Sequence, residues 1–88
     1  MIRRRVVVRG RVQAVGFRVF VATRARSRGV AGWVRNRPDG TVEAVLEGER
    51  DAVDAVVAAC EDGPRGAGVS TVDVSDEEPA GLRGFEIH

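Results

Sequence analysis

From Arg4 to Gly10 the chain reads RRVVVRG, a block of β-branched residues that predicts a strand leaving near Arg9 and Gly10. The pattern changes at Phe17. Phe17, Val21 and Ala25 recur at helical spacing with Phe20 beside them, while Arg18, Arg24, Arg26 and Arg28 fill much of the polar remainder. This predicts a helix from Phe17 to Arg28, closed by basic residues and by Gly29. VAGWVRN (30–36) and TVEAVLEG (41–48) read as strands, and RPDG between them reverses the chain into a hairpin. In the second of these strands Val42, Ala44 and Leu46 alternate with Glu43, Val45 and Glu47, giving one apolar face and one that carries acids. Val53, Val56, Val57 and Cys60 return to helical spacing over 50–61, with Asp51 and Asp54 early, where the positive helix end favours them. VSTVDV (69–74) predicts a strand, SDEEPAGLRG (75–84) a loop, and FEI (85–87) a short closing strand.

The order strand, helix, strand, strand, helix, strand buries both helical faces with least chain if the helices share one face of a sheet. The predicted fold class is therefore α+β: a ferredoxin-like α/β sandwich (βαββαβ) with an antiparallel sheet, two helices on one face and a short extra C-terminal strand. Its 88 residues are expected to make a single domain, 1–88. Cys60 is the only cysteine, so no internal disulfide is possible; it reads as a core residue, and its solitude argues against a zinc site and for a reducing compartment. MIRRRVVV is too short an apolar run for a signal peptide or a membrane span, which makes a cytoplasmic protein with no membrane partner the expectation.

Charge is divided along the chain. Residues 1–40 hold eleven arginines and one acid, Asp39, whereas residues 41–88 hold three arginines and twelve acids. In so small a fold the halves must face each other, so much of this asymmetry is expected to cancel across the structure. A basic field that survives near the first turn would favour an anion.

That turn, GRVQAVGFR (10–18), has two readings. It is either a plain bend or a cradle in which orphan N–H groups at a helix start, Gly16 and Arg18 hold an anion. It matches neither GxxxxGK[ST] nor GxGxxG, so the pattern alone does not choose. Asn36, at the end of a strand candidate, is likewise either a hairpin residue bonded to its own backbone or an amide able to orient a water near that cradle. Trp33 and Phe17 read as core anchors. His88, the only histidine, sits on a terminus expected to fray and is a poor general base.

The run Gly10-Arg11-Val12-Gln13-Ala14-Val15-Gly16-Phe17-Arg18, followed by Gly32-Trp33-Val34-Arg35-Asn36 and then Pro38-Asp39-Gly40, resembles the acylphosphatase family. Both signature blocks are present at the usual separation, and the similarity runs over nearly the whole chain, including the FEI ending. The resemblance implies the same sandwich fold and hydrolysis of a carboxyl-phosphate bond with no metal and no cofactor. It places the essential phosphate-binding arginine on Arg18, the water-positioning asparagine on Asn36, and the phosphate-binding loop on Gln13, Ala14, Val15, Gly16, Phe17 and Arg18. It implies small acyl phosphates as substrates and inorganic phosphate as product and inhibitor; no nucleic-acid partner is expected, and a monomer is expected because nothing demands an exposed apolar helix face. The family more often has glycine at Ala14; a negative φ is expected there, where alanine is unstrained. Arg28 stands where similar chains often carry leucine, and is expected to lay its stem on apolar surface with its head in water.

A carboxylate is a good leaving group, so the chemistry needs anion binding, in-line water and stabilised phosphoryl charge more than a general acid. The rival reading is a single-strand-binding module of the same fold. Against it, Trp33 is the only aromatic in the central hairpin and the second half is acidic. A regulatory or maturation module is a further alternative.

Overall fold

The strand predicted around Val42, Ala44 and Leu46 occupies the middle of a five-stranded sheet. In the computed structural model, which describes residues 1–88, the elements are β1 (Ile2–Arg11), α1 (Phe17–Ser27), β2 (Ala31–Asn36), β3 (Val42–Gly48), α2 (Arg50–Asp62), β4 (Gly68–Glu77) and β5 (Phe85–Ile87). The sheet order is β4-β1-β3-β2-β5. Val6, Val8, Val34, Val42, Ala44, Leu46 and Phe85 from one sheet face pack with Phe17, Val21, Ala25, Val53, Val56 and Cys60 from the two helices in one buried cluster. This is the ferredoxin-like sandwich. No helix is long and apolar enough to cross a membrane.

Several details depart from the sequence expectation. The sheet is mixed, because β5 runs parallel to β2 with Gly32 opposite Phe85 and Val34 opposite Ile87. The chain leaving β4 crosses the end of the sheet where β2 begins, so it enters the far edge in β2's direction. β4 also runs on past VSTVDV to Glu77. Arginines of β1 hold it there: Arg3 Nε lies 3.0 Å from Glu77 and Arg4 Nε 3.2 Å from Asp76, cross-strand pairs that compensate for the missing β-branched residues.

Trp33 is not a core anchor. Gly32 and Val34 take the core face of β2, so by strand alternation Trp33 lies half-buried on the helix-free face. There the guanidinium groups of Arg5 and Arg35 sit 5.7 and 5.5 Å from its ring centre, and the His88 imidazole stacks on it at 5.6 Å. The terminus does not fray as expected, since the His88 N–H donates to the Val34 carbonyl at 2.8 Å.

Much of the cancellation between the two charge halves takes place on the helix-free face. Glu43 accepts from Arg35 and Arg5, and Arg9 pairs with Asp73. Burial works against ionisation of Glu43, but the bonds from Arg35 and Arg5 outweigh it and hold the carboxyl below its usual range. Glu47, only 1% exposed, accepts from the N–H groups of Ala80, Gly81 and Leu82 at 2.8, 2.8 and 2.9 Å. Those bonds, the one from Ala80 foremost, lower its pKa against the cost of burial and pin the β4–β5 connection to the sheet.

Candidate active site

β1 turns into the first loop through a bulge, where its register against β4 shifts between Arg9 and Gly10. Gly10 has φ 123°, and a Cβ there would come within 2.1 Å of the Gly68 carbonyl oxygen, so only glycine lets the two backbones approach. α1 begins seven residues later, at Phe17. Its N-cap is Gly16 in the left-handed conformation (φ 77°, ψ 22°), with no capping side chain and no acid in the first turn. The first helical bond runs from the Phe20 N–H to the Gly16 carbonyl at 3.0 Å. Every backbone N–H from Gln13 to Val19 is without an acceptor in the protein. A helix start leaves its first N–H groups unpaired, and here the loop extends that set backwards.

Ala14 corrects the expectation of a negative φ: it is the one non-glycine residue with positive φ, at 61°. The loop needs left-handed backbone at both 14 and 16 to bend into the helix. Alanine adopts it at a cost of about 1 kcal/mol.

The hairpin closes the other side. The Gln13 amide nitrogen donates to the carbonyls of Arg37 and Thr41 at 2.8 and 2.9 Å, tying the loop to the β2–β3 turn. The turn itself is capped by Asp39, whose Oδ1 accepts from the Thr41 N–H at 3.0 Å and from its hydroxyl at 2.6 Å. Asn36, the last residue of β2, makes no side-chain hydrogen bond in the protein, so the capping that sequence reasoning allowed it falls to Asp39.

Ala14, Gly16, Arg18 and Asn36 surround a cavity of about 150 Å³, with buried Val12 and Phe17 contributing to its wall. The structure thus brings together Arg18, Asn36 and the second half of the predicted loop. Gln13 and Val15 do not line the cavity; Gln13 works as the staple described above. Arg18, unlike the arginines of the helix-free face, pairs with no Asp or Glu side chain. Its Nη1 donates to the main-chain oxygen of His88 at 2.6 Å, which leaves the remaining N–H groups of the fork uncommitted within the protein. The His88 ring, lying on the opposite face of the sheet from Ile87, takes no part in the cavity.

The acylphosphatase family model matches residues 4–87. The chain belongs to the acylphosphatase family. An acylphosphatase of Rubrobacter xylanophilus is 58% identical over 85 residues, covering 94% of this chain and 76% of the relative. One from Trichormus variabilis is 55% identical over 87 residues, covering 99% and 86% respectively. The crystal structure of acylphosphatase from Bacillus subtilis superposes with a TM-score of 0.96 at 40% identity, covering 100% of this chain and 99% of that one. Acylphosphatases hydrolyse acyl phosphates, and that is the activity of this enzyme.

Two contributors to the candidate site escaped sequence reasoning. The His88 oxygen is a main-chain atom with no side-chain signature. Gln13 was legible as a member of the loop, but nothing local indicated that its amide would reach across to the hairpin.

Proposed function

We propose that the enzyme hydrolyses small acyl phosphates without a metal, by direct attack of a water that Asn36 positions on a phosphoryl group held by Arg18 and the N–H groups of residues 13–18. The observation that carries this reading is the shared cavity: Arg18, Asn36 and the start of α1 all border it. An anion there meets a fork able to grip two phosphoryl oxygens, together with unpaired N–H donors at the positive end of a helix.

In the reaction the water oxygen bonds to phosphorus and the bond from phosphorus to the acyl oxygen breaks. The electron pair leaves with the carboxylate. The water proton passes to a phosphoryl oxygen of the substrate, since an amide and a guanidinium are no bases, and the products are carboxylate and inorganic phosphate. Stabilisation of the equatorial oxygens falls to Arg18 and the N–H groups. No phosphoenzyme is required. Cys60 is 1% exposed in the core, with its thiol pushed up to about 12 by burial and the nearby Glu61, and is no nucleophile. In this reading the positive charge at the phosphoryl group is supplied by Arg18 and the backbone. A monomer acting in the cytoplasm, inhibited competitively by its phosphate product, completes the reading.

Benzoyl phosphate and acetyl phosphate hydrolysis, measured without added metal and again with excess chelator, tests it. Equal rates in both conditions are expected. Activity that appears only on adding a divalent ion would overturn the metal-free mechanism.

A further inference from the structure

The candidate site straddles a split in the sheet. β1 and β3 stay paired as far as Val8 opposite Val42, after which β1 follows β4 alone to Arg11 opposite Gly68. One side of the split carries the loop of residues 12–16 and the start of α1; the other carries the hairpin, with Asn36 paired to Val42 at its base. The hairpin closes by itself. Its Arg37 N–H donates to the Thr41 carbonyl at 2.9 Å and its Gly40 N–H to the Arg37 carbonyl at 3.1 Å, beside the Asp39 cap. Those same two carbonyls each take a second bond, from the Gln13 amide nitrogen at 2.8 and 2.9 Å. With carbonyl oxygens as both partners, the nitrogen and not the oxygen of that amide must face them. No other hydrogen bond joins residues 12–16 to the hairpin.

We propose that Gln13 is a positioning residue for the reaction: it sets the distance and angle between a phosphoryl group in the cradle and the water on Asn36. The inference rests on the proposed roles of Arg18 and Asn36 and adds what holds them in register. Phosphoryl binding uses Arg18 and the N–H groups of the loop, all on one side of the split, so it survives a small shift of the cradle against the hairpin. In-line attack does not. The water oxygen must lie opposite the leaving acyl oxygen, and a misplacement of about 1 Å costs on the order of 100-fold in rate. Val12 and Phe17 seat the loop in the core, but apolar packing is non-directional, whereas two hydrogen bonds from one planar amide fix an orientation.

Gln13→Met removes both donors and keeps the length of the side chain. With kcat referred to the folded fraction, turnover of benzoyl phosphate is expected to fall about 30-fold, while inorganic phosphate binds within about 3-fold of wild type by calorimetry. A loss of phosphate affinity as large as the loss of kcat overturns the proposal, because Gln13 would then serve the cradle's own shape. A double-mutant cycle asks whether Gln13 acts through Asn36: in the Asn36→Ala background, Gln13→Met is expected to cost less than about 3-fold in kcat. An undiminished cost there, or wild-type kcat in Gln13→Met alone, overturns the inference and leaves the hydrolytic reading standing. An Asn36→Ala enzyme with wild-type kcat removes the water-positioning role, and this inference with it. Gln13→Glu supplies a readout that a merely structural role would not move. A carboxylate facing two carbonyls is disfavoured against its protonated form, which regains one donor. The ratio of its kcat to that of Gln13→Met is therefore expected to rise at least about 3-fold between about pH 7.5 and about pH 5. A flat ratio overturns the proposal.

Discussion

The two helices of this fold begin in opposite ways. α2 follows β3 through a single residue, Glu49, whose backbone is extended (φ −60°, ψ 141°), and Asp51 stands at its second helical position. α1 follows a five-residue loop that ends on its left-handed N-cap, Gly16, and carries Arg18 at the same second position with no acid in its first turn. Both helices offer a positive end and unpaired N–H groups. In α2 the carboxylate of Asp51 answers that charge from within. In α1 the arginine adds to it, the loop supplies more donors, and the whole is left for a ligand to neutralise. The sandwich provides two helix starts, and a handful of local residues makes only one of them suited to the anion site proposed above.

The largest effect on this contrast is expected from Arg18→Lys. Lysine keeps the charge at the second position of α1 but not the planar fork, and kcat/KM for benzoyl phosphate is expected to fall at least about 100-fold. Steady-state kinetics that retain half of wild-type efficiency would remove the fork from the account. Val19→Asp makes the start of α1 resemble that of α2 by giving it a first-turn acid. Inorganic phosphate is expected to bind about 10-fold more weakly by calorimetry, while the urea midpoint holds or rises slightly, because the acid favours the helix as it repels the ligand. Unchanged phosphate affinity would show that the uncompensated helix end matters little. The smallest effect is expected from Ala14→Gly. Glycine accepts the φ of 61° without strain but loses more entropy on folding, so the net gain in stability is expected at about 0.5 kcal/mol, with kcat unchanged. A loss of stability in urea melts would mean that the loop's conformation is not what costs alanine its place.

Elements built on one dominant period were legible in the sequence. Phe17, Val21 and Ala25 mark the buried side of α1, and Val42, Ala44 and Leu46 mark the core face of β3, because burial and periodicity agree there. The candidate site was legible for a different reason: its residues lie in two short blocks whose resemblance to the acylphosphatase family carried Arg18 and Asn36 directly. What could not be read depended on contacts distant in sequence. The parallel pairing of β5 follows from the route of residues 78–84, which Glu47 fixes from 33 to 35 positions away. Trp33 went to the helix-free face because its neighbours Gly32 and Val34 claimed the core, a choice of face that a hairpin sequence without strict alternation does not reveal. The left-handed Ala14 is a local conflict at a functional loop, where backbone shape takes precedence over residue preference.

The division of labour between the α1 start and the hairpin is the central claim, and Asn36→Ala tests it most directly if kcat, phosphate affinity and urea midpoint are measured on one purified sample. Removing the amide leaves Arg18 and the loop N–H groups intact, so phosphate is expected to bind within a few-fold of wild type. The midpoint should hold, since Asp39 and not Asn36 caps the turn. The value of kcat is expected to fall at least about 100-fold, a loss of roughly 2.7 kcal/mol of transition-state stabilisation. An Asn36→Ala enzyme that keeps its kcat but unfolds at lower urea would contradict the account, returning Asn36 to the hairpin and leaving Arg18 and the backbone cradle as the whole of the catalytic machinery.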